Sequence, residues 1–323
     1  MKSNDILSFV QNQYCANDLD VISNKIKDVI SRTLDSSGIM YRIFVRAKDK
    51  DSVLDKINRK KNKYDSLKNY YIQDAIGIRI VLYFMDDVEI CINMLSDIFK
   101  ENNHEVDELD TSTFKPERIN YVYDIPKEFS FPYEYKDKGG IDNTFEIQIR
   151  TVFSEGWHEV EHDIRYKHQT DWDGEYEMGR DLNALFAVLE LCDNNIIGIC
   201  DNLSYNKYKK HDIEAMIRNR FRIRIKDRHI RNELKEIINR DYDVIAKKIF
   251  RFDRYMLIST LGKTAIERTL DNIVYIINYF DIKNEDIKSL TDSCVLEKLS
   301  LIEKESVINL SKENYKSIVA MKY

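Results

Sequence analysis

The sequence predicts an α+β fold: a mixed β-sheet flanked by helices, with a mainly helical C-terminal extension. Three observations point there. Strand-like segments alternate with amphipathic helical ones through the first half. Only three prolines and nine glycines interrupt 323 residues, which favours long regular elements. From about Asp181 the periodicity turns helical to the end. Length suggests roughly two domains, expected at 1–205 and 206–323.

Residues 5–34 open with a helical pattern, Ile6, Phe9, Val10, Leu19, Ile22, Ile26, Val29 and Ile30 recurring at spacings of three and four. Met40–Arg46 alternates as a strand, continuing through Lys48, and Ser52 is the expected N-cap of a basic helix reaching about Tyr64. Asp74 heads AIGIRIVLYF, an almost continuous apolar run that reads as a central strand. Asp86 and Asp87 are expected to cap a helix carrying Val88, Cys91, Ile92, Leu95, Ile98 and Phe99. Strands follow at Ile119–Ile125 and Thr144–Thr151, joined through a hairpin at the KDKGG turn. Leu182–Leu203 and Ile266–Phe280 read as helices, whereas Arg218–Lys226 alternates basic with apolar, the period of a half-buried strand.

A hydrophobic share of 43% supports ordinary cores, and 33% charged residues imply a well-solvated surface. The net charge of -6 disfavours global nucleic-acid binding and leaves room only for a local basic patch. Cys15, Cys91, Cys192, Cys200 and Cys294 are scattered without a C-x-x-C pair, the usage of reduced thiols in a cytoplasmic protein. MKSNDILSFVQNQYC lacks the apolar core of a signal peptide, and no segment is expected to reach the roughly 18 apolar residues of a membrane span. No membrane partner is expected.

FEIQIRT, residues 145–151, sets Glu146, Gln148 and Arg150 on one strand face and Phe145, Ile147 and Ile149 on the other. Arg46 and Lys48 share a face of the first strand, followed by Ser52 and Lys56 at a helix start. Cations, a hydroxyl and a helix N-terminus suit a polyphosphate. Asp74 supplies a second carboxylate, and two acids near a phosphate pocket suggest Mg²⁺.

The set R-x-K-x-x-x-S-x-x-x-K (Arg46 to Lys56), D-x-x-G-I-R (Asp74 to Arg79), E-I-Q-I-R-T and W-x-E-x-E-H-x-x-x-Y-K resembles the synthetase domain of the RelA/SpoT-type alarmone synthetases. The order and approximate spacing agree over residues 40–170. The resemblance implies a nucleotidyltransferase-like domain acting as a pyrophosphokinase, in which a nucleotide 3′-hydroxyl attacks the β-phosphorus of ATP and AMP leaves. It implies that Arg46 and Arg79 sandwich the adenine, a role suited to guanidinium planes. Lys48, Ser52 and Lys56 would hold phosphates, and Asp74 and Glu146 would bind Mg²⁺, Glu146 also taking the hydroxyl proton. Gln148 and Arg150 would orient the acceptor or brace Glu146.

One element departs from the family pattern. The G-Y-x-S-x-H stretch, whose tyrosine stacks on guanine, is replaced by FKPERINYVYDIP. Tyr121 or Tyr123 is the remaining candidate to stack on a base, and Lys115 or Arg118 to meet acceptor phosphates. The acceptor is therefore open: GDP or GTP by resemblance, or an adenine nucleotide or tRNA 3′ end in a toxin or defence role. An inert nucleotide-binding regulator is a further alternative. Arg218, Arg220, Arg222, Arg224 and Lys226 are the residues an RNA partner would use. Residues 206–323 are left to regulation, a partner or homo-oligomer formation. His211-Asp212 does not supply the separated ligands of an alarmone hydrolase.

His158-Glu159-Val160-Glu161-His162 spells H-E-x-x-H, with His168 where a third zinc ligand would fall. Arg165 stands where the extended metalloprotease motif needs glycine. Phe153, Trp157, Val160 and Ile164 form the expected buried stripe of this helix, which turns both histidines away from the core. Zinc proteolysis is the least favoured alternative, since the other motifs account for far more of the chain.

Overall fold

Side-chain alternation decides where the sheet lies. The computed structural model describes residues 3–66, 71–106, 119–131 and 133–310. Five strands form one mixed sheet: β1 (Tyr41–Ala47), β2 (Ile76–Leu82), β3 (Glu101–Val106), β4 (Ile119–Asp124) and β5 (Thr144–Thr151), in the order β1-β2-β5-β4-β3. The β2/β5 pair is parallel and the other pairs are antiparallel. Ile78, Ile80, Phe145, Ile147 and Ile149 are buried on one face. Burial stabilises each such side chain by roughly 1.5–3 kcal/mol. β3 was not anticipated, because ENNHEV is exposed throughout and its polar residues hide the strand period. It sits at the sheet edge, where charged residues discourage pairing with other chains.

The chain divides into two compact units: residues up to Arg32 with Tyr41–Ile196, and Thr33–Met40 with the chain from Ile197 onward. The opening helical pattern is two helices, α1 (Ser3–Gln13) and α2 (Ala16–Ser37), parted at Tyr14-Cys15, with α2 in the first unit as far as Arg32. The basic segment is likewise two, α3 (Lys50–Arg59) and α4 (Lys61–Ser66). Asp49, rather than Ser52, is the N-cap of α3, its carboxylate accepting from Ser52 N at 2.7 Å.

Met85–Asp87 form a short 3₁₀ turn before α5 (Val88–Ile98), and neither acid caps it through its side chain. The expected hairpin at KDKGG is absent: β4 and β5 do pair, but residues 125–143 join them and include α6 (Tyr133–Asp137). Thr151 caps α7 (Val152–Glu161) in a capping box with Ser154. Only Trp157 of the expected stripe is buried, for Val160 and Ile164 are about half exposed. A π-helical turn, His162–Tyr166, extends α7 and rotates the residues after Glu161 out of the α-helical register.

α8 (Tyr176–Lys209) is longer than anticipated. It carries an 18-residue window of mean hydropathy 1.3, so by length and composition it meets the criterion for a membrane span, contrary to the expectation of none. The stretch is apolar enough because at most two charged residues interrupt its leucines and isoleucines. In the first unit Asp193 of α8 accepts from Thr151 Oγ1 at 2.6 Å, and Phe186 meets Trp157 edge-on at 5.0 Å.

The second unit is helical: α9 (Ile213–Phe221), α10 (Asn232–Arg240), α11 (Tyr242–Arg251), α12 (Arg254–Thr264), α13 (Leu270–Ile277), α14 (Glu285–Leu290) and α15 (Ser293–Leu310). α13 is buried at Leu270 and at every position from Ile273 to Ile277 and is the core of this unit. The basic stretch from Arg218 is not a strand. It is the end of α9 and an extended tail, with Arg222 left-handed at φ 48°. Arg220 and Arg222 pair with Asp201, Lys226 with Glu267, and Arg218 donates to the Arg228 carbonyl.

Candidate functional site

The polar face of the sheet is built from two transverse rows. Register places Arg46, Gly77, Glu146 and Val122 side by side, and Phe44, Arg79, Gln148 and Asn120 in the next row. Residues opposite one another in a sheet point to the same side. These rows therefore form one floor, over a cavity of about 660 Å³ lined by Phe44, Arg46, Lys48, Asp74, Gly77, Arg79, Glu146 and Gln148. Gly77 keeps the centre of the floor open. A Cβ there would meet only the Arg46 carbonyl at 3.8 Å, so the glycine serves the cavity's space and not a backbone turn.

Asp74, just before β2, takes two ammonium groups: Lys48 Nζ on one oxygen and Lys56 Nζ on the other at 2.5 Å. Burial opposes ionisation of Asp74, but the two lysines outweigh it and hold the carboxyl below its ordinary range. Burial lowers the Lys48 pKa and neighbouring Lys56 adds to that, with Asp74 opposing. Lys48 is placed by backbone contacts, its N–H donating to Ala75 at 2.9 Å and its carbonyl accepting from the Tyr14 hydroxyl at 2.5 Å.

A wall is supplied by α7. Arg79 Nη1 donates to Glu155 Oε1 at 2.7 Å and also to Glu159. Burial disfavours the charge on Arg79, yet these two carboxylates prevail and raise its pKa. Arg150 donates to Glu155 Oε2 at 2.9 Å and to Gln148 Oε1 at 3.4 Å, and Gln148 donates to Glu146 at 2.7 Å. Burial, then repulsion from Arg79, lowers the pKa of Arg150. His162, Asp163 and Lys167 complete the wall, Lys167 donating to Asp163 at 2.6 Å.

The sequence-predicted residues thus separate into groups. Arg46, Lys48, Asp74, Arg79, Glu146 and Gln148 line the cavity, and Lys56 joins it through Asp74. Ser52 does not line it; its hydroxyl donates to Asp49 at 2.9 Å. Arg150 borders a second, smaller cavity of about 70 Å³ with His158, Ser154 and Asp193. Tyr121 and Tyr123 are opposite Ile147 and Phe145, hence on the face away from Glu146. Tyr123 is fully buried against Phe99 and Phe145, an aromatic core residue. Lys115 and Arg118 lie outside the described residues. Phe44, Gly77 and Glu155 escaped the sequence-level reasoning; the alternation of β1 could have flagged Phe44, which is 53% exposed on the site face.

The two histidines of H-E-x-x-H face different cavities. His158 lines the smaller one, where burial and the charges of Arg150 and Arg79 depress its pKa to about 4. His162 lines the larger and pairs with Asp163 at 3.0 Å.

Residues 45–171 match the family model described as a region found in RelA / SpoT proteins. No curated relative matches the chain. Among solved structures, the small alarmone synthetase 1 from Bacillus subtilis is 23% identical at a TM-score of 0.41, covering 56% of this chain and 88% of that one. The same synthetase bound to its product pppGpp is 24% identical at 0.41, covering 56% and 89%. A GTP pyrophosphokinase family protein from Streptococcus pneumoniae is 20% identical at 0.41, covering 57% and 90%.

Proposed function

On the premise that residues 45–171 carry the region found in RelA/SpoT proteins, we propose that the protein is a pyrophosphokinase moving the β,γ-pyrophosphate of ATP to a ribose 3′-hydroxyl. One observation carries the proposal: Arg46, Lys48, Asp74, Arg79 and Glu146, on β1, β2, β5 and the segments that flank them, converge on one cavity, and Lys56 of α3 reaches it through Asp74. Arg46 and Arg79 are diagonal neighbours on paired strands. Such side chains start about 7–8 Å apart, close to the roughly 7 Å that a ring touched on both faces at about 3.5 Å requires. The carboxylates of Glu155 and Glu159 hold the Arg79 edge and present its flat face to an adenine.

Lys48 and Lys56 then face the phosphates beside Asp74. Glu146, oriented by Gln148, takes the proton of the acceptor hydroxyl as its oxygen bonds to the β-phosphorus. The bond from that phosphorus to the α,β-bridging oxygen breaks, and AMP leaves with the oxygen. Catalysis of this kind is positioning plus charge neutralisation. Mg²⁺ belongs to the proposal. Asp74 and Glu146 share the cavity, and to take the cation Asp74 would release Lys48 or Lys56 to the phosphates. That donor set suits a cation that takes one or two carboxylates and completes its shell with water and phosphate oxygens. When bound, it would neutralise phosphate charge.

The acceptor is a nucleotide in this proposal, with its base read by groups other than Tyr121 and Tyr123, which face the core side. The test is incubation with labelled ATP, Mg²⁺ and GDP, GTP, ADP, ATP or bulk tRNA. AMP release with a pyrophosphorylated acceptor is expected for at least one. No release with any of them would leave a nucleotide-binding regulator instead.

A further inference from the structure

Five side chains form a continuous hydrogen-bonded line across the site floor. Arg79 meets Glu155 at 2.7 Å, Glu155 meets Arg150 at 2.9 Å, Arg150 meets Gln148 at 3.4 Å, and Gln148 meets Glu146 at 2.7 Å. Glu155 is the one member that comes from α7 and not from the sheet. Each of its oxygens takes a different guanidinium, and its side chain is only 16% exposed.

Without a carboxylate between them, Arg79 and Arg150 would be two partly buried like charges on adjoining strands. Glu155 is fixed from behind. It directly follows the capping box in which Ser154 and Thr151 exchange hydrogen bonds at 3.1 and 3.0 Å. Thr151 is itself bonded to Asp193 at 2.6 Å. A carboxylate in the first turn also suits the positive end of the helix.

We propose that Glu155 is a positioning residue that links the donor-base arginine, Arg79, to the proton-accepting carboxylate, Glu146, so that seating the donor nucleotide orders the transfer geometry. This rests on the pyrophosphokinase reading, and the linkage extends it. A donor base resting on Arg79 pulls on Glu155. Through Arg150 and Gln148 the pull fixes the rotation of Glu146, whose small misplacement costs rate steeply.

The test is Glu155→Gln, which keeps shape but can no longer accept from both arginines. The expected result is a kcat lower by about tenfold or more together with a KM for ATP raised about threefold or more. Combined with Gln148→Leu, the loss should be clearly smaller than the product of the single losses, since both cut one line. A merely structural role would lower the active fraction, leave KM unchanged and give multiplicative losses. Either wild-type kinetics or multiplicative losses in the double variant overturn the linkage.

If the unaltered protein transfers pyrophosphate to no acceptor, the function fails separately, and calorimetric titration with ATP still decides about Glu155. Weaker ATP binding in both Glu155→Gln and Arg150→Gln supports the line, because Arg150 itself does not border the larger cavity. Unchanged affinity in both sinks it.

Discussion

Two arginine rows in this chain look alike in sequence and behave differently. Arg46, Arg79 and Arg150 arise in alternating segments, as do Arg218, Arg220, Arg222 and Arg224. The first set stands on strands, where a period of two sends every second side chain to one floor. The second spans the last turn of α9, the left-handed Arg222 and the tail beyond it, and its members diverge toward Asp201, the Phe250 carbonyl and the Arg228 carbonyl. Alternation therefore marks a shared face only when the backbone is a strand. A basic row closed off by its own unit's acids and carbonyls is a brace, whereas a row opening on a cavity is available to a ligand.

The largest effect should come from the acids of the first region. Asp74→Asn and Glu146→Gln are each expected to reduce AMP release by about a thousandfold or more, and near-normal turnover in both would break the contrast drawn here. Next is Gly77→Val. Its Cβ has room in the folded chain, so the melting temperature should stay close to wild type. The methyls, however, enter the floor between Arg46 and Glu146, and turnover should fall by about a hundredfold or more. Unaltered kinetics would show that the floor is not where substrate rests.

In the second region, Arg222→Ala should cost about 2–3 kcal/mol in urea denaturation, since a nearly buried cation bonded to Asp201 is removed. Arg224→Ala, half exposed and 3.9 Å from Asp35, should stay within about 0.5 kcal/mol. Equal losses would erase the distinction between brace and surface charge.

A separate effect concerns pH. His158 is depressed to about 4 from an ordinary 6.5. Between those values the unfolded chain binds the additional proton, so stability rises with pH across that window and levels off above it. His158→Gln should flatten this slope in thermal melts recorded at successive pH values; an unchanged slope would assign it to other groups.

Part of the cavity's lining was legible because it is carried by polar residues at strand spacing, Arg46 to Lys48 and Glu146 to Gln148. The rest was less so, for identifiable reasons. Tyr121 and Tyr123 sit in a strand whose parity against β5 cannot be known before the register is. Glu155 looked like one more acid in an acid-rich helix. ENNHEV offers no apolar period at all. Gly77 reads as one more residue of a central strand until the register sets it between Arg46 and Glu146.

The sheet order has a consequence for the growing chain. β5 is last in sequence but central in space, lying between β2 and β4. Until it is synthesised, the β1–β2 and β3–β4 pairs have no strand to join them, and each exposes an edge able to pair wrongly. The same strand brings Glu146. A ribosome halted before β5 therefore holds a chain that already contains Arg46, Lys48, Lys56, Asp74 and Arg79 but not Glu146, so one strand completes both the sheet and the floor of the cavity.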